Sequence, residues 1–140
     1  MSETVKFHFL VDGEDFTSAG QASVQMKKNL RQLGISPEII RKLSIAMYEG
    51  EINMVIHAGG GEADVLIYED HIELSLVDHG PGIANIELAM QEGFSTAPDN
   101  IRSLGFGAGM GLPNMKRYTD EMVIESQLGK GTKITMTVYV

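Results

Sequence analysis

One segment constrains the fold of this chain more than any other: residues 36–61, SPEIIRKLSIAMYEGEINMVIHAGGG. Ser36 is a favourable N-cap, Pro37 suits the first helical position, and three consecutive glycines close the segment. These signals predict one long helix. Its apolar positions form a stripe at helical spacing, which we assign to the core: Ile39, Leu43, Met47, Gly50 and Met54.

The elements around this helix follow from hydrophobic periodicity and turn residues. Helices are predicted at 18–33, at 85–92 and from residue 112 onwards, and strands at 5–11, 63–70, 72–80, 121–127 and 132–140. Grouped strands with helices between the groups predict an α+β fold, a two-layer sandwich with a mixed, mostly antiparallel sheet and helices on one face. At 140 residues, the chain is expected to be a single domain.

Composition excludes several function classes. Without cysteine there are no disulfides or thiolate metal sites, and the four histidines form no HExxH-like pair. A net charge of −8 argues against a direct nucleic-acid partner. No apolar run approaches the roughly 20 residues that cross a membrane, and the start MSETVKFHFL does not read as a signal peptide. We therefore expect a cytoplasmic protein that makes no membrane contact.

A polar line runs along the long helix. Glu49, Asn53 and His57 recur every fourth residue on a face that also carries isoleucines. A solvated stripe is one interpretation. The other is functional: Glu49 deprotonates a nucleophile, and the Asn53 amide oxygen coordinates Mg²⁺, which prefers oxygen ligands. For His57, a packing or capping role is the favoured interpretation.

A second motif, LVDHGPGI, ends an apolar strand with an acidic residue and a glycine-rich bend. The Asp78 carboxylate, beside the bare backbone of Gly80 and Gly82, can accept the exocyclic amine of adenine. Alternatively, Asp78 simply caps a strand-to-loop turn. The pattern alone does not separate the two.

A third motif removes side chains at alternate positions, at Gly105, Gly107, Gly109 and Gly111, just before a predicted helix start that contains Pro113. Backbone amides freed in this way can converge on an anion, and a helix N-terminus favours phosphate. Flexibility alone would explain the glycines but not their position. The sequence matches neither the Walker pattern nor a dinucleotide-binding βαβ unit.

The last motif, GKGT at 129–132, lies between two predicted strands. A hairpin turn explains its glycines, and Thr132 adds a hydroxyl that can face the same pocket.

These motifs together resemble the histidine-kinase-like ATPase superfamily, which includes gyrase, heat-shock chaperones and sensor kinases. EGEIN, DHGPG, GFGAGMGL and GKGT occur in the order and approximate spacing of that superfamily, and the resemblance extends from the first helix to the C-terminus. Within it the chain looks most similar to the small bacterial anti-sigma-factor serine-protein kinases and their switch-kinase relatives. The resemblance implies a sandwich with ATP between the long helix and a mobile lid.

The resemblance also implies roles for individual residues. Glu49 is the expected general base, Asn53 the expected Mg²⁺ ligand, and residues 93–104 the expected lid. The residues expected to contact ATP are Asp78, Gly80, Gly82, Arg102, Gly105, Gly107, Gly109, Gly111, Leu112 and Thr132. One feature is unexpected: Gly50 lies beside the base and costs a helix about 1 kcal/mol relative to alanine.

Three functions compete. The first is an ATP-dependent kinase that phosphorylates a serine of an anti-sigma-antagonist-type protein; the resemblance suggests a sigma factor and a second copy of the chain as further partners. The second is a nucleotide-responsive binding module without phosphate transfer. The third, a detached sensor-kinase domain, lacks a segment that offers a phosphoacceptor histidine. The presence of both Glu49 and Asn53 favours the first, because a pure binder needs no base.

Overall fold

The computed structural model describes residues 5–12, 20–83, 86, 90 and 111–140. Three helices and five strands are defined in these ranges. The strands are β1 (Val5–Asp12), β2 (Gly60–Ile67), β3 (His71–Asp78), β4 (Glu121–Gln127) and β5 (Gly131–Tyr139), and the helices are α1 (Gln21–Gln32), α2 (Pro37–Ala58) and α3 (Gly111–Arg117). The element order confirms the predicted one across the described ranges.

The strands form one five-stranded sheet in the order β1-β2-β3-β5-β4. Every pairing among the described strands is antiparallel, so the sheet is more uniform than the mixed, mostly antiparallel sheet we predicted. The β2–β3 hairpin is confirmed, with Ile67 opposite Ile72. The α+β fold class is therefore confirmed. None of the described helices is long and apolar enough to span a bilayer.

The capping residues of α2 behave as the sequence predicts. The Ser36 hydroxyl accepts a hydrogen bond of 3.4 Å from the Ile39 amide, and Pro37 is the first helical residue. Gly59 ends the helix in the left-handed conformation, at φ 70°. The next two glycines belong to β2, so this strand begins at Gly60 rather than at residue 63.

The core lies between the helices and one face of the sheet. Of the predicted α2 stripe, Leu43, Met47, Gly50 and Met54 are buried, whereas Ile39 is only half-buried and Ile40 takes the core position. Other fully buried side chains come from α1, α3 and the central strands: Met26, Leu30, Met115, Val65, Ile72, Leu74, Met136 and Val138. Each contributes about 1.5–3 kcal/mol by leaving water.

Close packing explains Gly50. A β-carbon at this position would overlap the Cδ1 atom of Leu76 on β3 and lie 3.6 Å from the Met115 sulfur on α3. The glycine therefore lets α2 approach both the sheet and α3 at the turn that carries Glu49. The entropic cost noted from the sequence is offset by this contact.

Some predictions fall outside the described residues. The lid at 93–104 lies there, together with Arg102, Gly105, Gly107 and Gly109. Of the short helix predicted at 85–92, only Ile86 and Met90 are described. The Met90 amide donates to the Ile86 carbonyl at 3.0 Å, the spacing of one helical turn.

Candidate functional site

The polar line on α2 lies at the edge of the core. Glu49, Asn53 and His57 are all half-buried, while Gly50 and Met54 beside them are buried. A fully solvated stripe would be exposed, so the half-burial of these side chains does not fit that interpretation. Successive members are four residues apart, and the line from the first to the third is about 12 Å long.

One end of this line meets α3. The Asn114 side-chain amide donates a hydrogen bond to Oε1 of Glu49 at 3.4 Å. Asn114 is in turn contacted by Arg117, whose Nη1 donates to its Oδ1 at 3.5 Å. No role for Asn114 is predicted from the sequence, because nothing in the local pattern shows that α3 packs across Glu49.

The other end of the line meets the loop after β3. A β-carbon on Gly80 would lie 2.7 Å from Cα of Ala58 and 3.2 Å from the carbonyl oxygen of His57, so this glycine allows the loop to lie against the last turn of α2. Burial lowers the pKa of His57, and attraction to the Asp78 carboxylate partly opposes this. His57 is therefore neutral at neutral pH, in keeping with the packing role favoured from the sequence.

Asp78 caps the turn after β3. Its Oδ1 accepts one hydrogen bond from the Gly80 amide at 3.0 Å and another from the Thr132 amide at 3.2 Å. Asp78 therefore does cap the strand-to-loop turn, as one of the two interpretations of this motif predicts. Both bonds are made by the same oxygen, so within the described ranges Oδ2 is the acceptor with which the half-buried carboxylate can receive a further donor.

Thr132 joins Asp78 to the β4–β5 hairpin. It pairs with Asp78 where β3 ends and β5 begins, and it is only 8% exposed. Its hydroxyl lies 2.9 Å from the Ser126 hydroxyl oxygen, which accepts a hydrogen bond of 2.7 Å from the Ile83 amide. Gly82 has a φ of 80°, and Pro81 accepts from the Gly129 amide at 2.9 Å. The loop and the hairpin therefore form one hydrogen-bonded unit, and Ser126 is a member of it that no sequence motif indicates.

Glu51 is a second residue without a predicted role. It lies on the opposite side of α2 from the polar line and is 1% exposed. Its Oε2 accepts hydrogen bonds from the amides of Gly20 (2.9 Å) and Ala22 (3.2 Å), and its Oε1 accepts one from Ser23 (2.6 Å). Burial raises the pKa of Glu51, and these hydrogen bonds partly offset the rise. Glu51 therefore caps the N-terminus of α1 from a different helix.

A signal for Glu51 was present in the sequence. It lies four residues after Met47 and four before Val55, both of which are buried. A glutamate at a core position of an amphipathic helix requires a buried partner, since an unpaired buried charge is very costly.

The remaining predicted contact residues are placed as follows. Gly111 is the first residue of α3. The Leu112 side chain is 8% exposed and belongs to the hydrophobic core, so only its backbone is available to a ligand. Arg102, Gly105, Gly107 and Gly109 lie outside the described ranges.

An open depression of about 410 Å³ lies elsewhere, between the start of α1 and Tyr48 of α2. It is lined by Gly20, Gln21, Ser23, Val24, Gln25 and Tyr48. None of these residues belongs to the polar line or to the loop that follows Asp78 (residues 79–83), which we call the Asp78 loop. We place the candidate site along the polar line, which meets Asn114 of α3 at one end and the loop after Asp78 at the other.

The oxygen atom that Asn53 offers on this line is compatible with a magnesium ion that is also bound by the phosphates of a ligand. Within the ranges that the structure describes, no cluster of three or more His, Asp or Glu side chains could hold a metal by itself. Asn53 supplies one half-buried amide oxygen. Mg²⁺ characteristically takes few protein ligands and completes its shell with waters and substrate phosphates, so Asn53 fits a metal that arrives with a phosphate ligand.

Comparison with known proteins assigns the family. Residues 38–140 match the family described as histidine kinase-, DNA gyrase B- and HSP90-like ATPase. This match covers well over half of the chain, and the chain belongs to this family. The resemblance drawn from the four motifs is thereby confirmed. Membership in an ATPase family implies ATP binding.

Curated relatives are similar over most of their length. An anti-sigma F factor from Caldanaerobacter subterraneus subsp. tengcongensis is 34% identical over 114 residues, which cover 78% of this chain and 76% of that protein. An anti-sigma F factor from a Geobacillus species (strain WCH70) is 30% identical over an alignment of 142 positions, which covers 97% of this chain and 90% of that protein.

Solved structures share the fold at lower identity. The RsbU and RsbW domains of a Mycobacterium tuberculosis protein superpose with a TM-score of 0.61 at 18% identity, covering 96% of this chain and 32% of that one; this chain thus spans about a third of that protein. The SiaB–SiaC complex from Pseudomonas aeruginosa gives a TM-score of 0.56 at 12% identity, covering 96% of this chain and 89% of that one. These likenesses support the fold alone.

Proposed function

We propose that this chain binds ATP with Mg²⁺ and transfers the γ-phosphate to a serine of a small anti-sigma-antagonist-type protein. The observation that carries the proposal is the half-buried line on α2, bounded by Asn114 of α3 at Glu49 and by the Asp78 loop at His57. The name of the curated relatives, anti-sigma F factor, supports sigma-factor binding as an additional activity.

In this proposal each group of residues in the site has one task. Asp78 accepts the adenine amine through Oδ2, with Gly80, Gly82 and Thr132 shaping the base pocket. Asn53 holds Mg²⁺, which neutralises charge on the phosphates. The phosphates are bound by the segment that precedes and opens α3: Arg102, Gly105, Gly107, Gly109, Gly111 and the backbone of Leu112.

Glu49 acts on the partner rather than on the nucleotide. Its carboxylate accepts the proton of the serine hydroxyl as that oxygen attacks the γ-phosphorus and the bond to the β-phosphate oxygen breaks. Phosphoryl transfer needs little covalent help from a protein, so positioning and charge neutralisation supply most of the rate. The half-burial of Glu49 and its hydrogen bond from Asn114 support this role, because a base must be held within hydrogen-bond reach of the proton that it takes.

Radiolabelled ATP tests the function directly. The chain is incubated with labelled ATP, Mg²⁺ and purified antagonist-type proteins from the same genome. We expect acid-stable label on a partner serine, and a fall of about 100-fold or more in transfer for Glu49→Gln, with nucleotide affinity kept. Acid-labile label would indicate a phosphohistidine and overturn the serine-kinase assignment. Nucleotide-dependent partner binding without label would favour the binding module, and full transfer by Glu49→Gln would remove Glu49 as the base.

The metal assignment has its own test. Asn53→Ala is expected to weaken ATP affinity at least about tenfold in the presence of Mg²⁺, because one of the few protein ligands is lost. Affinity measured by calorimetry with a chelator present should not change. Asn29→Ala, which removes a half-buried amide from α1, is the matched control. Identical Mg²⁺ dependence in Asn53→Ala and the wild type would exclude Asn53 as a ligand.

A further inference from the structure

Asn114 contacts Glu49 in a defined orientation. Its Nδ2 donates to Oε1 of Glu49 at 3.4 Å, while its Oδ1 accepts from Arg117 at 3.5 Å. Because a guanidinium only donates, the oxygen end of the amide is drawn to Arg117 and the donor end is left for the carboxylate. Asn114 is therefore oriented to hold Glu49 as an acceptor.

Packing of α3 does not require this amide. The helix is anchored by Leu112 and Met115, which are 8% and 0% exposed, whereas Asn114 is half-buried. The bond to Glu49 is long, as hydrogen bonds to catalytic groups often are before substrate binds. The side chain is thus better placed to act on Glu49 than to stabilise its own helix.

Asn114 lies in the first turn of α3, which begins at Gly111, and its side chain contacts Glu49 on α2. We propose that Asn114 is a positioning residue that aligns the Glu49 carboxylate with the incoming hydroxyl. This inference rests on the proposed kinase function and adds to it a residue that acts through the base.

Two substitutions of Asn114 distinguish the effect of its hydrogen bond to Glu49 from the effect of its side-chain volume. Asn114→Asp keeps the shape of the side chain but places a second carboxylate against Glu49, and Asn114→Ala removes the donor. We expect kcat for phosphate transfer to fall about tenfold in Asn114→Ala and about 100-fold in Asn114→Asp, because small misplacement of a reacting group costs rates of this order. KM for ATP and calorimetric ATP affinity should stay at the wild-type level. Lys116→Ala, an exposed change on the same helix, is the control and should leave both constants unchanged.

A double-mutant comparison in the Glu49→Ala variant tests whether Asn114 acts through Glu49. In Glu49→Ala, the further change Asn114→Ala should not lower the residual rate. An additional tenfold loss there would overturn the inference, as would a wild-type kcat in Asn114→Asp. A rise in KM with kcat unchanged would also overturn it, because it would assign Asn114 to ATP binding.

A spectroscopic measurement tests the Asn114–Glu49 contact even if no phosphate transfer is detected. In the nucleotide-free protein, the side-chain carboxyl ¹³C signal of Glu49 should shift in Asn114→Ala at constant pH and stay in place in Lys116→Ala. Absence of phosphate transfer by the wild type would refute the proposed function. An unmoved Glu49 signal would refute the Asn114 contact, and the two failures are therefore distinguishable.

Discussion

Replacing Glu51 by glutamine is expected to lower the free energy of unfolding by about 1–3 kcal/mol at neutral pH. The buried carboxylate accepts three backbone amides at the start of α1, two at Oε2 and one at Oε1. Glutamine offers one oxygen and turns an NH₂ group towards at least one of these donors, which leaves a buried amide unsatisfied. Urea denaturation of the two proteins measures the difference.

Glu62→Gln is the matched control for this prediction. It makes the same chemical change on an exposed residue of β2 and should alter stability by no more than about 0.5 kcal/mol. An equal loss in both variants would mean that the lost charge, rather than the cap on α1, accounts for the effect.

The advantage of Glu51 over glutamine should depend on pH. Burial raises the pKa of Glu51 in the folded protein. In the window above the ordinary glutamate pKa of about 4.3, the folded state therefore binds more protons at this site than the unfolded state does. The contribution of Glu51 to the free energy of unfolding is complete below the ordinary pKa and declines as pH rises through the pKa of Glu51 in the folded protein. The difference in unfolding free energy between wild type and Glu51→Gln should accordingly shrink from pH 4 towards pH 8, and a difference that grows would contradict the raised pKa.

Local signals predicted the elements well because local physics determines them. The ends of α2 follow from Ser36, Pro37 and Gly59, each of which acts on the backbone within one turn. The polar line on α2 follows equally directly from the four-residue spacing of Glu49, Asn53 and His57. Both features could be predicted without any knowledge of the rest of the fold.

Contacts between distant elements could not be predicted in this way. Thr132 meets Asp78 only because β5 pairs with β3, and a hairpin pattern does not specify which strand lies next to it. The motif order of the family suggested that the two act together, but no local rule did. The partners of Glu51 and Asn114 could not be predicted for the same reason, since they lie 28 or more residues away in the chain.

Gly131→Ala should destabilise the protein by about 2–4 kcal/mol, because it combines an unfavourable backbone conformation with a steric clash. Gly131 has a φ of 128°, and a β-carbon there would overlap the carbonyl oxygen of Asp78 and lie 2.9 Å from Cα of His79. Both contacts are with backbone, which cannot rotate away as a side chain can. Relief requires Asp78 and Thr132 to separate, so their hydrogen bond of 3.2 Å should be lost as well.

Gly129→Ala distinguishes the clash from the conformation. Gly129 has a φ of 79° in the same turn, but a β-carbon there would meet nothing within 4 Å, so only a conformational cost of about 1–2 kcal/mol is expected. Chemical denaturation gives the stabilities, and calorimetry at a temperature where both variants are folded gives ATP affinity. If Asp78 receives the adenine amine, Gly131→Ala should lose affinity and Gly129→Ala should retain it. Equal affinities in the two variants would show that the spacing between Asp78 and Thr132 does not determine nucleotide binding.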